Sequence, residues 1–139
     1  MGEKGKDLRK YSVIWIALAT CLLLLAGCSS PSSKSSSQPT PLDIAFSSGK
    51  PTVAEFGRGT CIPCKEMKPI LDNLAMVYKD KLNVLIISVD EYRSLTNQQG
   101  IMAIPTQIFF DSSGKEVTRH IGFFAREDII AQLNKMGIE

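Results

Sequence analysis

Two thiols stand two residues apart in the run Gly59-Thr60-Cys61-Ile62-Pro63-Cys64-Lys65. At that spacing a disulfide can close and reopen. A cysteine at the start of a helix has its thiolate stabilised by unpaired backbone N–H groups and by the helix dipole, which makes it a nucleophile near neutral pH. The same C-x-x-C spacing is also half of a zinc site, so spacing alone leaves redox and metal chemistry both open. A closed zinc site needs four ligands. The chain has four cysteines and one histidine, His120, and no second C-x-x-C. Cys21 and Cys28 belong to a different part of the chain, so the folded part cannot build a closed site unaided.

Several elements must hold the pair in place. Residues 42–48 read as a short helix ended by Gly49 and Pro51, and Thr52 to Phe56 as a short strand. From Cys61 to about Tyr78 the pattern is helical, with Met67, Ile70, Leu71, Leu74 and Val77 at 3–4 spacing, and Pro69 should kink it. The β-branched run at residues 84–89 predicts a strand buried on both faces. Tyr92 to Gln99 predicts a short helix, residues 106–110 a third strand, Asp111 to Gly114 a turn, and residues 116–121 a fourth strand hairpinned to the third. Residues 125–136 close the chain as an amphipathic helix. The order β-α-β-α-β-β-α predicts an α/β fold with a parallel sheet core and an antiparallel edge.

The N-terminal part reads differently. Lys4, Lys6, Arg9 and Lys10 precede an uncharged, mostly apolar stretch at residues 13–26, which at 14 residues is short for a bilayer span of about 20. A basic region followed by a short apolar one reads as a secretory signal. Leu25-Ala26-Gly27-Cys28 resembles the lipobox of bacterial lipoproteins, in which the signal is cut before the cysteine and the thiol carries lipid. The competing readings are an ordinary secretory signal or an uncleaved anchor. The expected division is a signal at residues 1–27, a lipidated Cys28 with a Ser- and Pro-rich tether at 28–41, and a domain at 42–139. Such a tether spans about 20 Å. Residues 1–27 carry four basic and two acidic side chains, a net of +2. The whole chain is also +2, so the remainder is neutral. No basic tract is left for phosphate contacts, which argues against nucleic acid as a partner.

Residues 42–139 resemble the thioredoxin family. Cys61-Ile62-Pro63-Cys64-Lys65 matches the family's active-site run. Pro69 matches the proline of its active-site helix, Ile104-Pro105-Thr106 its cis-proline loop, and Gly122 a glycine that packs near the site. The resemblance implies the thioredoxin fold, a central mixed β-sheet flanked by helices. It implies Cys61 as attacking thiolate and Cys64 as resolving thiol. Pro63 restricts the loop, Ile104 offers its backbone to a substrate strand, and Pro105 keeps metal from bridging the thiols. Glu55 stands where the family usually carries a buried aspartate. It is read either as a proton relay for Cys64, with a raised pKa, or as a strand-end glutamate reaching solvent. The lysine that often accompanies that aspartate is replaced by Ile86, and Gly57 and Thr60 stand where tryptophans are common. Arg58 is a cation near the thiols, read either as lowering a thiol pKa or as a solvated loop residue.

The expected function is therefore an extracytoplasmic thiol–disulfide oxidoreductase, held to a membrane by lipid. Such a protein reduces protein disulfides and receives electrons from a membrane thiol donor. It needs no cofactor beyond the Cys61–Cys64 disulfide, and a monomer is expected. The rival readings are a disulfide-forming oxidase or isomerase, and a non-catalytic module binding copper or a protein partner. By the same resemblance, the superfamily's copper-binding members use a distant histidine, and His120, the single candidate, reads as a surface strand residue.

Overall fold

The computed structural model describes residues 38–139. The expected signal with Cys21, the expected lipid site Cys28 and most of the expected tether lie outside the described residues. Near the start of the described residues lies a capping box. Thr40 Oγ1 accepts the Asp43 backbone N–H at 3.2 Å, and Asp43 Oδ2 accepts the Thr40 backbone N–H at 2.8 Å. With Pro41 in the first turn, where its missing N–H costs nothing, this starts helix α1, Pro41–Ser47. Strand β1, Thr52–Gly57, follows, then helix α2, Ile62–Val77, and strand β2, Asn83–Ser88. Helix α3, Arg93–Gln98, leads to strands β3, Thr106–Phe110, and β4, Glu116–Ile121, and helix α4, Arg126–Lys135, closes the chain.

The four strands form one mixed sheet in the order β2-β1-β3-β4. Only β1 and β2 are parallel; β3 runs antiparallel to both β1 and β4. The predicted parallel core is thus a single parallel pair, and helix length explains why. At 16 residues α2 is about 24 Å long, enough to carry the chain back along the sheet before β2. At six residues α3 is about 9 Å, too short to retrace a strand of about 20 Å. The chain therefore re-enters the sheet at the end where β2 left it, and β3 points the other way.

Two apolar layers sandwich the sheet. On one face Val53 and Phe109 pack against Met67, Leu71 and Leu74 of α2 and Ile129 and Leu133 of α4. On the other, Ala54, Phe56, Ile87, Ile108 and Phe110 pack against Leu42 of α1 and Leu95 of α3. Both central strands, β1 and β3, are buried throughout. The expectation that β2 is buried on both faces is corrected: it is an edge strand, mostly half-buried, with Ile86 47% exposed. β-Branched residues suit the pleat of any strand and do not by themselves report two covered faces. Helix α2 continues through Pro69 as one element.

Candidate active site

Strand β1 ends at Gly57, and Arg58, Gly59 and Thr60 turn the chain into α2. Cys61 is the N-cap of that helix, with extended backbone angles, and its Sγ accepts the Cys64 backbone N–H at 3.3 Å. Its own carbonyl accepts the Lys65 N–H at 3.1 Å, and its N–H donates to Arg58 O at 3.0 Å. Pro63 sits in the first turn, where no helical hydrogen bond is lost. One turn of helix therefore separates two unlike sulfurs. Cys61 is half-buried at the helix end, while Cys64 lies inside at 7% exposure. They are joined as a disulfide, with Cα atoms 5.3 Å apart. When this bond opens, the Cys61 sulfur already faces backbone N–H groups and the positive end of the helix dipole, both of which favour its thiolate.

The Ile104–Pro105 peptide bond is cis. Pro105 is buried, and its carbonyl accepts the Gly122 N–H at 2.8 Å, which fastens the end of β4 to the loop. Gly122 has φ of +100°, a backbone conformation that side-chain-bearing residues avoid. Thr106 Oγ1 donates to Ala103 O at 2.7 Å and tightens the same loop. A groove of about 410 Å³ runs beside it, lined by Arg58, Asp90, Arg93, Met102 and Ile104 among others. Apolar side chains stand free around this end of the molecule: Ile62 at 71% exposure and Met102 at 93%.

Arg58 donates through Nε and Nη2 to both carboxylate oxygens of Asp90, at 2.7 and 2.8 Å. Both side chains are half-exposed, so solvent screens the pair. The hydrogen bonds hold the Asp90 carboxyl below its ordinary range and raise the Arg58 guanidinium. Arg58 thus spends its charge on Asp90 rather than standing as an uncommitted cation. Lys65 and Lys68 lie on the exposed face of α2, and Lys68 pairs with Asp72 at 2.7 Å. Phe123 and Phe124 part company. Phe123 is exposed, while Phe124 packs edge-on against Phe109 and stacks with His120 at 4.0 Å. His120 is half-buried, its Nε2 3.1 Å from Phe123 O.

Glu55 is 1% exposed, which removes the reading of a strand-end glutamate in solvent. Its Oε1 has no hydrogen-bond partner. Burial pushes its pKa from the ordinary 4.5 up to about 7. The carboxyl leans toward the dithiol end of β1 and occupies the space a side chain at Gly57 would need: a Cβ there would lie 2.3 Å from Oε1. This explains how the longer glutamate fits. Gly57, read from sequence only as a lost aromatic, is what makes the room. Glu55, Gly57, Cys64, Lys68 and Ile86 line one cleft of about 170 Å³. The buried carboxyl and the inner sulfur therefore share a single small space.

Sequence reasoning missed Gln107. It is fully buried in β3, directly opposite Glu55 in the antiparallel register, and its Oε1 is likewise without a partner. Its signal was parity: in β3 it points to the same face as Phe109, inward toward α2. Among the described residues no group of three or more His, Cys, Asp or Glu side chains is placed to hold a metal ion.

The thioredoxin family model matches residues 42–135. The chain belongs to the thioredoxin family. It is 39% identical over 89 residues to the thioredoxin of Alicyclobacillus acidocaldarius subsp. acidocaldarius, an alignment covering 64% of this chain and 84% of that one. It is 35% identical over 83 residues to a thioredoxin of Staphylococcus aureus, covering 60% and 79%. It is 32% identical over 98 residues to the chloroplastic thioredoxin-like protein HCF164 of Arabidopsis thaliana, covering 69% of this chain and only 38% of that longer protein. Family membership together with a Cys61–Cys64 pair at helix-cap spacing supports a thiol–disulfide oxidoreductase whose redox group is its own disulfide.

Proposed function

We propose that this thioredoxin-type domain reduces protein disulfides outside the cytoplasm while tethered to a membrane through lipid on Cys28. The observation that supports thiol–disulfide exchange is the position of Cys61 as N-cap of α2, with Cys64 buried one turn behind it. In the reduced domain the Cys61 thiolate attacks a substrate disulfide, and the first substrate sulfur leaves as a thiolate. Cys64 then gives its proton to the Glu55 carboxylate and attacks Cys61 Sγ. The second substrate sulfur leaves with the bonding electron pair, and the domain is left as the disulfide described above. Ile104, in the cis-proline loop, offers backbone to the substrate chain, with Pro63, Pro105 and Gly122 shaping the surface beside it. A membrane thiol donor restores the dithiol, and the domain works as a monomer. The secretory and lipobox pattern at residues 1–28 supports the location. Ser29 after the lipid cysteine fits outer-membrane sorting in a host that has one.

The soluble domain is expected to accelerate insulin reduction by dithiothreitol, and Cys61→Ser to abolish the effect. No acceleration by the unaltered domain sinks the enzymatic reading. Equilibration against glutathione decides direction: a potential near about −270 mV supports a reductase, and one near about −120 mV an oxidase. Cys28→Ala should remove the protein from the detergent phase, and unchanged partitioning refutes lipidation.

A further inference from the structure

A row that is polar at three of its four positions crosses the apolar sheet beneath α2. Ile86, Glu55, Gln107 and His120 are consecutive cross-strand partners in β2, β1, β3 and β4. Directly opposite residues lie on one face of a sheet, with Cβ atoms about 4.5–5.5 Å apart. Gln107 is anchored at one end of its amide, where Nε2 donates to Gly122 O at 3.2 Å. That bond fixes the amide's orientation and leaves Oε1 as its free end. Glu55 and Gln107 both lean toward the dithiol end of the sheet, one toward Gly57 and the other toward Gly122.

Two buried oxygens, Glu55 Oε1 and Gln107 Oε1, are left without partners in neighbouring positions. An unpaired buried acceptor is costly, so two on directly opposed residues call for a hydrogen between them. An ionised carboxylate cannot supply it, because it only accepts. A protonated carboxyl can.

We propose that Gln107 is a positioning residue for Glu55: its Oε1 accepts the O–H of the protonated carboxyl, directly or through one water, and so holds the proton that Glu55 takes from Cys64. This rests on the reading of Glu55 as the proton acceptor. The proton balance follows the redox cycle. When Cys64 closes the disulfide, its S–H proton moves to Glu55, which becomes the donor that Gln107 needs. When the disulfide is reduced, the proton returns to the Cys64 sulfur, and Glu55 again faces an oxygen that repels its anion. Gln107 therefore favours the neutral carboxyl, in the same direction as burial does. On its other side Glu55 faces the cleft it shares with Cys64, where the charged groups are Lys65 and Lys68 from α2 and Arg58 from the loop after β1, with the apolar Ile86 from β2; Gln107 lies across β1 from that cleft, in β3. His120 stands one strand beyond and stacks with Phe124.

The test uses the disulfide form of the domain with Glu carboxyls carbon-13 labelled, compared with Gln107→Met, which keeps the length and removes the acceptor. Gln107→Leu serves if the methionine variant does not fold. The Glu55 titration midpoint should fall by at least about half a pH unit, a threefold loss of proton affinity. In infrared difference spectra the carboxylic C=O band that Glu55→Gln abolishes should move to higher frequency. A midpoint that stays or rises, or a band that does not move, overturns the proposal. Release of the mixed disulfide is measured separately in Glu55→Gln. If that rate is unchanged, the relay reading fails, while the band still reports whether Gln107 holds the carboxyl.

Discussion

Replacing Glu55 by glutamine should change how stability depends on pH in a calculable way. The folded carboxyl titrates at about 7 and the unfolded one near 4.5. Between those values the native state holds a proton that the unfolded chain has released. Stability then falls as pH rises, by about 1.4 kcal/mol per pH unit. The whole window removes about 3 kcal/mol, and above about pH 7 both states are ionised and the loss stays constant. Asp43, Asp90, Asp111 and Glu116, held below the ordinary range by their hydrogen bonds, act the other way. Their contribution is lost only as pH falls below about 4.5, at the acid edge of the Glu55 window and beyond it. Glu55→Gln keeps the shape and cannot ionise. The measurement is urea unfolding of the disulfide form of both proteins from pH 4.5 to 8. The two curves should meet near the acid end and separate through pH 7, where the variant is the more stable by about 3 kcal/mol. With a urea slope of about 1–1.5 kcal/mol/M, this appears as a midpoint shift of about 2–3 M. Parallel curves across the range would refute the claim that the native state keeps this carboxyl protonated.

The trapping behaviour of the two cysteines should be unequal. Cys64→Ser leaves Cys61 able to attack but unresolved, so mixed disulfides accumulate on non-reducing gels, whereas Cys61→Ser gives none; equal trapping contradicts the assigned roles. Ile86→Lys puts a cation at the mouth of the Glu55 cleft and should lower the carboxyl midpoint by about one pH unit, read by NMR titration. An unmoved midpoint would mean that the lysine turns to solvent. Gly57→Ala should leave the unfolding free energy within about 1 kcal/mol, because the atom it displaces ends a side chain rather than the backbone. It should nevertheless slow mixed-disulfide release about tenfold, part of what a positioned proton acceptor supplies. Adding Glu55→Asp, whose carboxyl is one methylene shorter, should restore much of the rate. A rate unaffected by Gly57→Ala removes the link between that space and the chemistry.

Much of the site could be read locally. The C-x-x-C run, the proline after Ile104 and Gly122 carry their meaning in a few adjacent residues, and β3 and β4 fall on either side of the Asp111–Gly114 turn, where the sequence places them. What was not legible depends on which strands become neighbours. The antiparallel course of β3 follows from the length of α3, a comparison of distances rather than a pattern of residue types. Gln107 and Glu55 are 52 positions apart and meet only through register. Asp90 reaches Arg58 across 32 positions, and nothing near either residue announces the pair. Ile86 misled because a β-branched run looks alike in the middle of a sheet and at its edge. Gly57 counted as an absence until the Glu55 carboxyl was seen to lie where its side chain would be.

The reversed course of β3 also gives the domain a front and a back. The end of β1, the cis bond and the start of β3 gather at one pole, while Asp111 to Gly114 turns at the other, about 15 Å away along the strand. That turn is held by its own short-range bonds, with Asp111 Oδ1 accepting from Ser113 and Lys115. Ser112 and Ser113 at its tip face solvent. A fluorophore or an affinity handle placed there would leave the reacting pole unobstructed, so single domains could be oriented on a surface with their sulfurs facing outward.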